Sequence, residues 1–173
     1  MIIRGKIIKL GDNIDTDVII PARYLVTHDP SVLVKHVFED YYPEFRERAR
    51  EGVIIVAGEN FGLGSSREHA VIALKHSNVK AIVAKSFARI FYRNAINLGL
   101  PALIIEEKNR IGELQDGAEA EIDLEKGVLR ELDTGKEFSC YKIPNFIVEI
   151  LKAGGLINYF KEKRQKSALK NLR

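Results

Sequence analysis

Residues 58–70 read GENFGLGSSREHA. Glycines at 58, 62 and 64 lead into two serines and an arginine, and a helical apolar pattern, AVIALKHS, follows. Such a set can bind an anion and move a proton. A helix N-terminus presents unpaired N–H groups and a positive dipole end, which suits a carboxylate or phosphate. Arg67 adds a planar fork that matches a carboxylate in bidentate fashion. The same positive field favours the alkoxide of a nearby serine and makes it a better base. The residue types therefore fit recognition of a small polyanion, with one serine available for proton transfer. A structural explanation also fits the letters. Ser65 followed three residues later by Glu68 is a capping box, worth about 0.5–2 kcal/mol. Both can hold, since one serine can cap while the other reacts.

Spacing excludes three common motifs. The dinucleotide pattern begins at Gly62 and Gly64 but meets Arg67 where a third glycine belongs. A P-loop needs Gly-Lys-Ser/Thr, whereas Gly64 precedes Ser-Ser. The hydrolase elbow G-x-S-x-G is not formed by Gly64-Ser65-Ser66-Arg67.

The elements that must position this loop follow from periodicity. IIRGKIIK at 2–9 reads as a strand interrupted by Gly5, and GDNIDTD as a turn. VIIPARYL follows, with Pro21 limiting regular pairing. Apolar positions between 28 and 50 predict two short helices split by Pro43. Residues 53–57 predict a buried strand, 66–76 a helix, 80–86 a strand, 87–98 a helix ended by Gly99, and PALIIEE a third strand. That alternation is the form of a parallel α/β layer. From 118 the pattern becomes a β-meander with turns at Lys126-Gly127 and Thr134-Gly135. Two helices separated by Gly-Gly finish the chain, and the last dozen residues, basic and polar, are expected to fray. The expected fold class is α/β, a parallel layer plus an antiparallel β addition, in one domain over 1–173.

Bulk properties narrow the function. The chain has 173 residues, 46% hydrophobic and 29% charged, enough for one sizeable core. A net charge of +3 is too mild to argue for nucleic acid or an anionic membrane. The single cysteine, Cys140, forms no intrachain disulfide and cannot alone hold zinc or an iron–sulfur cluster. It is expected to be a small core residue. No apolar run approaches a membrane span and no secretory leader is evident, so a cytoplasmic protein is expected. Four further residues have simple readings. His69 is expected to be packed or hydrogen-bonded. Arg89 and Arg93, four apart on a helix, mark a solvated face, an interface or structural support of the loop. Asp17, in DNIDTD, is a turn residue whose oxygens bond local backbone.

GENFGLGSSREHA resembles the signature of the swivelling β/β/α domain of the aconitase superfamily, in particular the small subunits of 3-isopropylmalate dehydratase. GDNIDTDVIIPARYL, GSSREHAVIAL, AIVAKSFARIFYRNAINLGLP and ILKAGGLINYF match that family in order, across essentially the whole chain. The resemblance implies an active site completed by a separate large subunit, whose three cysteines hold a [4Fe-4S] cluster. No cofactor is expected in this chain. By the same resemblance Ser65 is the catalytic base, Asp17 an active-site acid beside it, and Ser66 and Arg67 ligands of a substrate carboxylate. The implied reaction dehydrates a hydroxy diacid to an alkene and rehydrates it on the neighbouring carbon. YLVT, residues 24–27, is the family's specificity loop, here Leu25, Val26 and Thr27. Homoaconitase small subunits resembling this one carry an arginine at the position of Val26. A Leu25-Val26 pair suits an isopropyl group, because a carboxylate left unpaired against valine costs more than a lost apolar contact. The implied substrate is a dicarboxylate, 2- or 3-isopropylmalate, in leucine biosynthesis. Thr27 resembles the homoaconitase-type ending, which keeps homoaconitate and citramalate or another methylmalate as alternatives. A non-catalytic anion-binding module is the alternative of another class. The loop 23–30 is expected to be mobile without the large subunit, since its polar residues lack an obvious local framework.

Overall fold

Runs of β-branched residues become the strands of one sheet, and the structure, a computed structural model, describes residues 1–170. In chain order the elements are β1 (Ile2–Lys9), α1 (Thr16–Ile19), α2 (Pro30–Leu33), α3 (Phe45–Arg48), β2 (Val53–Ala57), α4 (Glu68–His76), β3 (Val79–Ala84), α5 (Arg89–Asn97), β4 (Ala102–Ile104), β5 (Glu119–Asp123), β6 (Val128–Glu131), β7 (Glu137–Ser139), α6 (Asn145–Lys152) and α7 (Leu156–Lys170). The sheet runs β4-β3-β2-β1-β5-β6-β7. Its first four strands are mutually parallel and the meander is antiparallel, so β1 joins the two halves. Ile7 pairs with Ile54, and Ile55 with Ile82.

The central strand β2 reads as an unbroken apolar run, and β3 nearly so, because both faces are covered there, whereas β1 alternates over its first half. Ile8, Val53, Ile55 and Ile82 face one core, closed by Ala70, Val71 and Leu74 of α4. Ile7, Ile54, Val56 and Val83 face the other, closed by Val148, Ile150 and Leu151 of α6. Each such fully buried side chain stabilises the fold by roughly 1.5–3 kcal/mol before the cost of ordering it. Cys140 lies in the second core, 2% exposed, as expected of a small apolar filler. No helix among the described residues is long and apolar enough to cross a membrane.

Three local expectations change. VIIPARYL does not extend. It forms the single turn α1, then a 3-10 turn at Ala22–Tyr24. Asp15 caps α1 by accepting from the Val18 N–H at 2.8 Å, which starts a helix where the letters suggested only a turn. Second, α4 begins at Glu68 rather than 66, because Gly64 has φ +104 and Arg67 stays extended. Third, the basic tail is helical to Lys170, and the part of the fraying expectation on residues 171–173 lies outside the described residues. A 3-10 helix at Lys108–Glu113 lies in a stretch for which the sequence carried no expectation, since it has no apolar period. Arg110 braces it, pairing with Glu107 at 2.9 Å and Glu113 at 3.0 Å.

Candidate active site

In an open parallel sheet, ligands gather beyond the carboxyl ends of the strands. Here the loops leaving β1, β2 and β3 meet at that edge. Asn13 N–H donates to the Glu59 carbonyl at 2.8 Å, and Gly62 N–H to the Ile14 carbonyl at 2.7 Å. Phe61 N–H reaches the Ser86 carbonyl at 3.0 Å, and Ala88 N–H returns to the Phe61 carbonyl at 2.9 Å. The three loops thus continue the parallel pairing past the sheet, with isolated bridges Asp15 to Leu63 and Phe61 to Phe87.

This pairing brings Asp17 and Arg67 together, and the two form an ion pair. Asp17 is 61% exposed, so the pair adds little to stability and acts chiefly to orient the guanidinium. The reading of Asp17 as a backbone-bonding turn residue is displaced, since Asp15 does that work and the Asp17 carboxylate faces Arg67. Ser65 is anchored through its carbonyl, which accepts from Arg67 N–H at 2.8 Å and from Thr16 Oγ1 at 3.3 Å. Both serines are exposed. The capping box does not form: Arg67 occupies the N-cap position of α4, and no side chain caps it. Ser65 lies two residues ahead of the N-cap, and the chain turns tightly at Ser66, where Arg67 N–H bonds back to the Ser65 carbonyl, which puts the Ser65 side chain out of capping register.

An open cleft of about 550 Å³ lies against the loop, lined by His28, Ser66, Arg67, Glu68, His69, Ile90, Arg93 and Asn94. His69 is packed as expected, its ring centroid 4.0 Å from that of His28. Its Nε2 is buried without a hydrogen-bond partner. Burial lowers its affinity for a proton, and His28 and Arg67 add to the effect. Periodicity gave no reason to link His28 to His69. Arg89 and Arg93 are both exposed, and of the two only Arg93 lines the cleft.

The segment 23–30 does have a framework. Arg23 pairs with Glu39 at 2.8 Å and Asp40 at 2.9 Å, and Tyr24 stacks on His36 with centroids 3.7 Å apart. Tyr24 Oη donates to Glu39 at 2.8 Å, and Asp29 caps α2. The partners of Arg23 and Tyr24 lie twelve to seventeen residues on, invisible to a local reading. Leu25 is half-buried against the first core, Thr27 Oγ1 accepts from Asp29 N–H at 3.0 Å, and Val26 is 92% exposed.

The residues present do not fit an iron–sulfur cluster. The one thiol, Cys140, is buried, and burial with Glu106 and Glu107 nearby pushes it up to about 12, so it supplies no thiolate. What the site can do chemically is hold carboxylates and present an exposed hydroxyl.

Comparison with known proteins agrees with this layout. Residues 9–108 match the family described as the aconitase C-terminal domain. The 3-isopropylmalate dehydratase small subunit of Aquifex aeolicus is 60% identical over 92% of this chain and 95% of its own length. That of Methanopyrus kandleri (small subunit 1) is 52% identical over 94% of each. The crystal structure of 3-isopropylmalate dehydratase from Methanocaldococcus jannaschii superposes with a TM-score of 0.89 at 48% identity, covering 98% of this chain and 99% of that one.

Proposed function

The chain belongs to the aconitase C-terminal domain family, among the small subunits of the hydro-lyase 3-isopropylmalate dehydratase, and from that premise we propose how its own residues take part in interconverting 2- and 3-isopropylmalate. The whole chain, 1–173, acts as one swivelling-type unit of a heteromer. It works with a cluster-bearing large subunit, which would supply the Lewis-acid chemistry.

Arg67 and Ser66 bind one substrate carboxylate, the guanidinium in bidentate fashion. Ser65 is the base. Its oxygen takes the proton from the carbon next to that carboxylate, and the C–H electron pair becomes the alkene as hydroxide departs. The charge that develops on the carboxylate in this step is met by Arg67, aimed before the reaction starts. Asp17 positions Arg67 and the loop. The start of α4 adds a positive dipole end that favours the serine alkoxide. Leu25, Val26 and Thr27 belong to a segment braced by Arg23 and Tyr24, from which they meet the substrate's distal group once the large subunit closes the site. The observation that carries this reading is the pairing of loop 13–17 with loop 61–65, which sets Asp17 on Arg67 and leaves the Ser65 hydroxyl exposed and out of capping register.

Anaerobic reconstitution with a cluster-loaded large subunit tests it, following alkene absorbance with 3-isopropylmalate, citramalate and homocitrate. Ser65→Ala should abolish isopropylmalate turnover by about 10²-fold or more, a general-base magnitude, while the subunits still associate. Surviving turnover would move the base elsewhere. Preference for homocitrate would overturn the substrate.

A further inference from the structure

The segment that carries Leu25, Val26 and Thr27 has to be held against the active-site loop before it can read a substrate. Val26 stands 92% exposed. Leu25 N–H donates to the Ala22 carbonyl at 3.1 Å, and Thr27 Oγ1 accepts from Asp29 N–H at 3.0 Å. These bonds shape the turn without fixing it to α4. Its attachment to α4 converges on His69, the second residue of that helix and two positions after Arg67. The His28 ring packs on the His69 ring with centroids 4.0 Å apart and planes tilted by 33°. The Leu25 backbone is within hydrogen-bonding reach of the same imidazole. One ring thus meets both ends of Leu25–His28 and belongs to the helix into which the Ser65–Arg67 loop runs.

This attachment depends on charge. A neutral imidazole donates through one nitrogen and presents a lone pair at the other. Nε2 of His69 is buried with no hydrogen-bond partner. A proton added there would be a buried donor without an acceptor. The charged groups that face the ring are His28 from the segment, Arg67 from the loop, Glu68 of α4 and Arg93 of α5 in the same cleft. Burial, His28 and Arg67 oppose a positive charge on the ring, and Glu68 favours it. Asp29, next to His28, is already engaged by Ser31. Neutral rings can stack at 4.0 Å, whereas two imidazolium rings at that distance repel.

Resting on the proposed function, we infer that His28 and His69 are positioning residues for substrate specificity: while the pair carries at most one positive charge, it holds Leu25–Thr27 against the start of α4, and a second proton releases the segment. The docked arrangement binds fewer protons than the released one. It is therefore complete above about pH 6.5 and is lost as pH falls below that value. Release would cost the contact of the segment with the alkyl group and leave Ser65, Ser66 and Arg67 in place. An isopropyl group, larger than the methyl of citramalate, loses more.

Two measurements separate the contact from its use. In the full chain, the nuclear Overhauser effect between the His28 and His69 ring protons should be present at pH 8 and lost at pH 5.5. Its absence at pH 8 would overturn the inference. In the reconstituted two-subunit enzyme, kcat and KM are measured for 3-isopropylmalate and citramalate over the same range, in wild type, His28→Ala and His28→Phe. The ratio of the two kcat/KM values cancels effects common to both substrates, such as those on the base or on subunit association. Wild type should lose about tenfold of its preference for isopropylmalate between pH 8 and 5.5, mainly through KM. His28→Ala should show the reduced preference at both ends of the range. His28→Phe keeps a ring on His69 without a second charge, so it should hold the preference at pH 5.5. A merely structural role would give no pH dependence that phenylalanine removes. A ratio independent of pH, or the same dependence in His28→Phe, would refute the inference. A wild type that prefers homocitrate would sink the substrate reading instead. The ring contact, and the KM of homocitrate in His28→Ala, would then decide the inference by themselves.

Discussion

The glycines before the serines give a quantitative test of the loop. Gly62 has φ +80, and a Cβ there would sit 2.1 Å from Cγ and 2.5 Å from Cβ of Phe91. Phe91 is 3% exposed, and its ring is held between Phe61, 5.3 Å away, and Phe87, 6.3 Å away. It has no free space to yield. A left-handed backbone costs an L residue about 1–2 kcal/mol, and overpacking a core adds about 1–3 kcal/mol. Gly62→Ala should therefore lose roughly 2–5 kcal/mol of stability. Gly64 is the control. Its φ is +104, but an added Cβ meets only Thr16 Oγ1 closely, at 3.2 Å. Gly64→Ala should lose the backbone share, about 1–2 kcal/mol. The chain has no tryptophan, so urea unfolding followed by far-UV circular dichroism is the assay. Equal losses in the two variants, or a Gly62→Ala loss under about 1 kcal/mol, would refute the claim that contact with Phe91 sets the loop's path.

Two further outcomes are expected. Lys75 Nζ donates to the carbonyls of Leu98 and Gly154, at the C-terminal ends of α5 and α6. Lys75→Met keeps the length but leaves both carbonyls without their cation, so stability should fall by about 1–2 kcal/mol and Tm by about 2–8 °C; an unchanged Tm would mean that water replaces the ammonium without cost. His69 has a proton affinity below the usual histidine range. The unfolded chain therefore binds more protons than the folded one below pH about 6.5. This contribution is complete above that pH and is lost as pH falls toward the lower folded value. Unfolding free energy should drop between pH 7 and 5.5, and the drop should shrink in His69→Phe; the same slope in both would exclude His69 as its source.

Much of the scaffold was legible because burial on both sheet faces demands apolar runs, which mark β2 and most of β3 plainly, while β1 shows as two β-branched pairs around Arg4-Gly5-Lys6. The meander was readable from alternation and from its Gly127 and Gly135 turns, both at positive φ. The stretch 16–24 was not, because a single helical turn has too few residues to show a period. The start of α4 was misplaced because S-x-x-E satisfies a capping pattern whether or not the backbone at 64–67 is helical. Arg93 could be recognised as exposed, but not as facing a cleft, since that depends on where the loop 58–67 crosses α5.

By itself the sequence determined the class of strands and helices, the glycine-flanked Ser-Ser-Arg turn, the buried fate of Cys140 and a family resemblance over the whole chain. Only the tertiary structure decided that Asp17 meets Arg67 across fifty positions, that His28 lies on His69, and that β1 sits between the parallel and antiparallel halves. Local patterns record which residues are buried and how the chain turns. They do not record which loops become neighbours. That is set by strand order, and strand order here places the ends of β1, β2 and β3 at one edge, where backbone hydrogen bonds between their loops bring distant side chains together.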